Sequence, residues 1–198
     1  MIYNVIQPPF TLKFREMSKK DLKDYYLWFL NMIPERINEL ANAVRETPGF
    51  EAWQPDYTPE SLDILGNWLA VHVETRPRTQ EEVDEFKRNA PYPIDIPAEE
   101  LTNQTFSLAI DSGMYISQVF LRNHPSVRWN QEFGNKRYID YGQPVLVDFG
   151  PSGFNPVRMM VTHAFGLAGK RRTGKDLREV YDIWSKMARG ENKAVRNQ

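Results

Sequence analysis

The sequence predicts an α+β fold, mostly helical, in which a small antiparallel sheet of three to four strands (about 127–149) packs against a long central helix (about 103–123). Three observations carry this expectation. Apolar residues recur at spacings of three and four through much of residues 18–123. Between 127 and 149 the pattern changes to short runs rich in β-branched and aromatic residues, broken by Gly-containing turns. Helical spacing then returns near the C-terminus. Helices, then strands, then helix argue for helices on one face of a small antiparallel sheet.

Each element has its own reason. Ser18 is placed to cap a helix, with Asp21 three residues on as a weak capping box. Leu22, Tyr26, Phe29, Ile33, Ile37, Leu40 and Val44 follow as one apolar stripe. Pro34 lies inside it and predicts a kink or break near residue 33. Pro48-Gly49 ends it. Thr58-Pro59 is a start signal, a cap followed by Pro at the first helical position. Thr79 with Glu82 forms a second capping box, opening a short acidic helix to about Asn89. Pro91, Pro93 and Pro97 make 91–97 an extended connector. One domain over 1–198 is expected, this connector being the best boundary should residues 1–90 form a helical subdomain.

The helix at 103–123 is the most apolar. Phe106, Ala109, Ile110, Gly113, Ile116, Ser117 and Phe120 share one face, so it is expected to be central. Gly113 costs up to about 1 kcal/mol of helix propensity, which a close approach by another element would explain. His124-Pro125 stops the helix. Three runs beginning at Val127, Lys136 and Pro144 read as an antiparallel meander, with Trp129 packing from its first strand. Asn155-Pro156 is a helix cap, although Val157–Val161 also reads as a strand. Leu177, Val180, Tyr181, Trp184 and Met187 mark a final helix.

Composition narrows the function. The chain has no cysteine, which excludes disulfides and thiolate metal sites. No apolar run approaches the ~20 residues that span a bilayer, and the first ten residues lack a basic, then apolar, signal pattern. The expected location is the cytoplasm, with no membrane contact. Net charge is −1, but residues 170–198 carry nine basic and four acidic side chains, against 16 basic and 22 acidic in residues 1–169. This basic end is the single hint of a nucleic-acid partner, and a solvated last helix explains it as well.

Most motifs have bland readings. Gly169-Lys-Arg-Arg-Thr-Gly-Lys175 matches the opening of a phosphate-cradling loop, but Asp176 stands where a Mg²⁺-binding hydroxyl is needed. His72, His124 and His163 lack metal-ligand spacing, so no metal and no cofactor are expected. The Ser of Pro151-Ser-Gly153 is not in a nucleophile elbow. Acid pairs such as Glu81-Glu82 fall at helix starts, where they complement the dipole.

The informative stretch is 111–129. Asp111, Tyr115, Gln118 and Arg122 lie at i, i+4, i+7 and i+11, a narrow polar strip opposite the apolar face. The first expectation is that this strip faces solvent. With His124 and Arg128 from the following corner, it supplies the candidate binding residues; no catalytic residue is assigned. Gly113-Met-Tyr115-Ile-Ser117-Gln118-Val119, then Trp129, then Pro144-Val-Leu, resembles a G-x-Y-x-G-E…W…P pattern of uncharacterised bacterial α+β domains, some of them toxin-immunity-like. Ser117 replaces the second Gly and Gln118 the Glu. The resemblance implies a bacterial cytoplasmic protein without established chemistry. The leading expectation is a non-catalytic domain that binds another protein. The alternative is an enzyme acting on a small anionic substrate, with Arg122 and Arg128 as clamps and Tyr115 or His124 as proton donor.

Overall fold

The computed structural model describes residues 3–89, 95–150 and 153–191. In chain order these form α1 (Lys19–Arg45), α2 (Ser61–His72), β1 (Thr75–Pro77), α3 (Gln80–Asn89), β2 (Glu99–Leu101), α4 (Asn103–Asn123), β3 (Arg128–Gln131), β4 (Pro144–Val147), α5 (Pro156–Ala168) and α6 (Asp176–Ala188). The fold is α+β and mostly helical, with α4 packed against α5 and α1.

The caps behave as their chemistry requires. The Ser18 hydroxyl accepts from the Asp21 amide at the start of α1. Thr79 and Glu82 close a full capping box, each side chain accepting from the other's amide at 3.2 and 2.8 Å. Thr102 and Asn155 cap α4 and α5. The segment 156–167, open between helix and strand in the sequence, is therefore helix. α2 begins at Ser61, later than Thr58-Pro59 suggests, because those residues form a turn in which Thr58 Oγ1 accepts from the Ser61 amide.

α1 does not break at Pro34. Pro34 is exposed, so water can reach a carbonyl left without its i+4 amide partner. The buried face of α1 uses Tyr25 rather than Tyr26, and it includes Arg36.

The sheet differs most from expectation. β3 and β4 pair antiparallel, Arg128 opposite Val147 and Gln131 opposite Pro144, and β4 adds only a single bridge from Leu146 to Phe154. The run from Lys136 to Tyr141 is not a strand. Asn135 accepts from the Arg137 amide through its side chain and from the Tyr138 amide through its carbonyl, which closes a turn. The Asp140 carboxylate, fully buried, is held by Arg158 at 2.7 and 2.8 Å and by Asn155 at 2.9 Å. A second ribbon, unforeseen, pairs β1 with β2, Thr75 opposite Leu101. Of the proline connector, residues 91–94 lie outside the described residues.

Core side chains from Ile6 to Tyr181 form one cluster. α4 is its axis: every residue from Asp111 to Ser117 is buried. Gly113 has the predicted reason. A Cβ there would meet the Pro156 carbonyl oxygen at 2.9 Å, so α5 crosses α4 at this glycine. Trp129 is half-buried and packs edge-on against Phe29 at 5.7 Å, joining the β3–β4 ribbon to α1.

Candidate functional site

The polar strip on α4 faces inward over most of its length, against the expectation that it faces solvent. A helix covered by α1, α2, α5 and α6 has little outer side left. Asp111 is fully buried and takes Arg36 Nε at 2.9 Å and Nη2 at 2.7 Å. The Tyr3 hydroxyl also donates to it. Arg36 Nη2 reaches the Asn4 carbonyl at 2.8 Å, and Ser107 Oγ accepts from the Ile6 amide, so this network fastens the N-terminal segment to two helices. Burial pushes the Asp111 carboxyl up to about 6, against the pull of the Arg36 guanidinium. Arg36 escaped the sequence reading, yet it left a signal. It is a cation three residues after Ile33 and four before Leu40, on the apolar stripe of α1.

Tyr115 is also buried. Its hydroxyl pairs with Ser61 Oγ at 2.6 Å and accepts from the Tyr57 amide at 3.2 Å, and burial pushes its pKa up to about 12. His124 is buried with Nε2 at 2.8 Å from Ser185 Oγ and 3.3 Å from the Tyr181 hydroxyl. These two side chains tie α4 to α2 and α6, which leaves the alternative enzyme without an accessible proton donor in either. Gln118 is half-buried. Of the six candidates, Arg122 and Arg128 are exposed. Arg122 lies over the Tyr57 ring, 3.4 Å from its centroid, and Arg128 pairs with Asp148 at 2.9 Å. Both contacted residues, Tyr57 and Asp148, hold positive φ angles of 63° and 75°. Such backbone costs of order 1–3 kcal/mol and concentrates at functional sites.

Asp148, the ion-pair partner of Arg128, lines a groove of about 600 Å³. The β3–β4 register builds its floor. Trp129 packs on Phe29, and Gln131 donates to the Leu22 carbonyl on α1. Strand alternation therefore sends Arg128 and Asn130 to the opposite side, beside their partners Val147 and Val145. Asn130, Val145 and Val147 line the groove together with Asp148, Arg137 and Tyr138. The last two come from the 132–143 connection that Asp140 holds in place.

The basic loop at 169–175 is not a phosphate cradle. The amides of Lys170, Arg171 and Arg172 donate to the carbonyls of Leu167 and Gly166. The Thr173 amide donates to Asp176, the residue standing where the hydroxyl was needed. Among the described residues no set of His, Asp or Glu converges on a metal position, and no helix is long and apolar enough to cross a membrane.

His163 supplies a pH prediction. It is buried on α5, with Nδ1 3.3 Å from Arg172 Nη1. Burial, then the Arg172 charge, pushes its pKa down to about 4. A depressed folded pKa contributes stability that is complete above the unfolded value near 6.5 and is lost as pH falls toward about 4, roughly 3 kcal/mol in all. Asp111, with its raised pKa, runs the other way over an overlapping range. The informative quantity is therefore the difference between wild type and His163→Gln. In urea melts that difference is expected to shrink as pH drops from about 7 to about 4. A constant difference would mean that His163 is protonated alike in both states.

Compared with protein-family models, with curated proteins and with solved structures, the chain gave no match.

Proposed function

We propose that the chain is a non-catalytic bacterial protein-binding domain, immunity-like and cytoplasmic, which receives a segment of a partner protein in the groove over β3–β4. The supporting observation is the character of that groove. It is open, its floor mixes Val145 and Val147 with Asn130, its edge carries Arg137 and Tyr138, and Arg128 stands beside it on Asp148 of the lining. Arginine and tyrosine are enriched at protein interfaces and dominate their binding energy. The lack of cysteine suits a reducing compartment. Arg122 on Tyr57 extends the same arginine-and-tyrosine chemistry to the C-terminal end of α4.

Affinity capture from the native host, followed by calorimetry with the purified co-eluting protein, tests this. The double variant Arg128→Ala/Tyr138→Ala is expected to stay folded, because both side chains are exposed, and to weaken binding by about 2 kcal/mol or more. Arg122→Ala is expected to change stability by about 1 kcal/mol or less and to weaken binding less. A partner bound equally well by the groove variant removes the groove from the interface.

A further inference from the structure

In the loop from Gly169 to Lys175 the amides of residues 169–173 are bonded within the fold, which leaves the side chains as what the loop offers a ligand. We infer that it is a second docking surface, made to receive an acidic segment of a partner protein. This inference rests on the protein-binding reading above and adds to it the chemistry of the partner.

The loop is held at both ends. At one end Arg171 and Arg172 donate their amides to the Gly166 carbonyl at 2.9 and 3.1 Å. The Arg172 side chain turns inward, lying across Gly166 with its guanidinium on His163. At the other end Gly174 rests on α2. A Cβ at Gly174 would fall 2.5 Å from Asn67 Oδ1. Lys170 takes a left-handed conformation, φ 53°, which reverses the chain after α5. Such anchoring lowers the ordering cost that a flexible basic loop would meet on binding.

Three cations then face solvent: Lys170, Arg171 and Lys175 are exposed, and none has an ion-pair partner among the described residues. The nearest carboxylate in sequence, Asp176, is turned away to the Thr173 amide and hydroxyl. The other basic residue of early α6, Arg178, is already shared among Glu60, Asp63 and Asp182. Between α5 and the first turn of α6, the unpaired positive charge is therefore on the loop. One turn beyond Asn67 on α2, Ala70 and Val71 are exposed, Val71 at 69%. Three exposed cations on an anchored loop, with two exposed apolar side chains one turn along α2 from the residue that the loop rests on, match a peptide that mixes carboxylates with aliphatic side chains. A nucleic acid backbone would satisfy the charges and leave the apolar side chains unused.

The test uses the full chain and two fluorescent probes, a short peptide of glutamate and leucine and a DNA duplex of equal net charge. The peptide is expected to bind more tightly than the duplex, with an affinity that falls as salt rises. Lys170→Gln/Arg171→Gln/Lys175→Gln is expected to weaken it by about tenfold or more, about 1.4 kcal/mol, with an unchanged melting curve. Arg171→Gln alone serves if the triple variant does not fold, and it too must weaken binding. The inference is overturned by no peptide binding, by peptide binding insensitive to the loop variants or to salt, or by equal or tighter binding of the duplex. The groove variant Arg128→Ala/Tyr138→Ala separates the two readings. It is expected to bind the peptide like wild type. Peptide binding lost only in the loop variants, with captured partner unaffected by the groove variant, leaves the loop standing and the groove reading not. The reverse pattern leaves the groove standing and the loop not.

Discussion

Arg36→Leu is expected to destabilise the protein by about 3–5 kcal/mol near neutral pH, a large share of the ~5–15 kcal/mol that holds a typical domain folded. The substitution strands Asp111, which is fully buried and takes two bonds from this guanidinium. It also removes the bond from Arg36 to the Asn4 carbonyl, so the N-terminal segment loses a main attachment to α1. The pH dependence distinguishes this from a simple packing defect. In the wild type Asp111 ionises at about 6 because the guanidinium offsets burial. Without Arg36 its folded pKa rises further. A raised folded pKa means stability that is complete at low pH and is lost as pH rises through the folded value. The deficit of the variant is thus expected to grow as pH rises above about 6, and chemical denaturation near pH 5 and near pH 8 measures it. Arg36→Leu/Asp111→Leu, which removes both charges, is expected to recover much of the loss, since an apolar pair of similar volume often replaces a buried ion pair without penalty. Equal deficits at both pH values, with no recovery in the double variant, would falsify the ion-pair account and leave lost contacts as the cause.

Gly66→Ala is expected to be almost as damaging, at the upper end of the ~1–3 kcal/mol typical of overpacking. A Cβ at this position would sit 2.0 Å from the Gly174 carbonyl oxygen and 3.1 Å from Leu177 Cβ. Neither neighbour is the free end of a flexible side chain. The oxygen belongs to backbone that rests on Asn67 and leads into α6. The helices must move apart, and Leu62, Leu65 and Leu177, all buried at this contact or one turn from it, lose packing. Gly153→Ala is the control. Its nearest contacts would lie at 3.6 Å or beyond, and it is expected to change the melting temperature little. If Gly66→Ala melts with the control, α2 and α6 do not meet as closely as described.

Much of the architecture follows from local chemistry. Ser18, Thr79, Thr102 and Asn155 each cap the helix that follows, because a side-chain acceptor there satisfies an amide that no helical carbonyl can reach. The stripe on α1, the length of α4 and the change to strands near residue 128 are legible for the same reason: periodicity of apolar residues is a property of neighbours in the chain. The meander was over-read, since the Lys136–Tyr141 run has the composition of a strand while Asn135 and Asp140 draw its backbone and side chains into turns. The candidate residues divide along the same line. Arg122 and Arg128 are exposed as a terminal turn and an outward strand position allow. Asp111, Tyr115 and His124 are not, although they share a helix stripe or a corner with them.

The sequence alone determined where most of the helices lie, the caps that start α1 and α3, and that one long apolar helix lies at the centre, because those outcomes depend on contacts within a few residues. Only the tertiary structure decided whether the polar strip on that helix meets water. Periodicity distinguishes one side of a helix from another but cannot count the neighbours packed around it. Asp111 was assigned by its spacing to an outer face. It lies inside because Arg36, 75 residues earlier in the chain, stands on the buried face of α1 and satisfies it with its guanidinium.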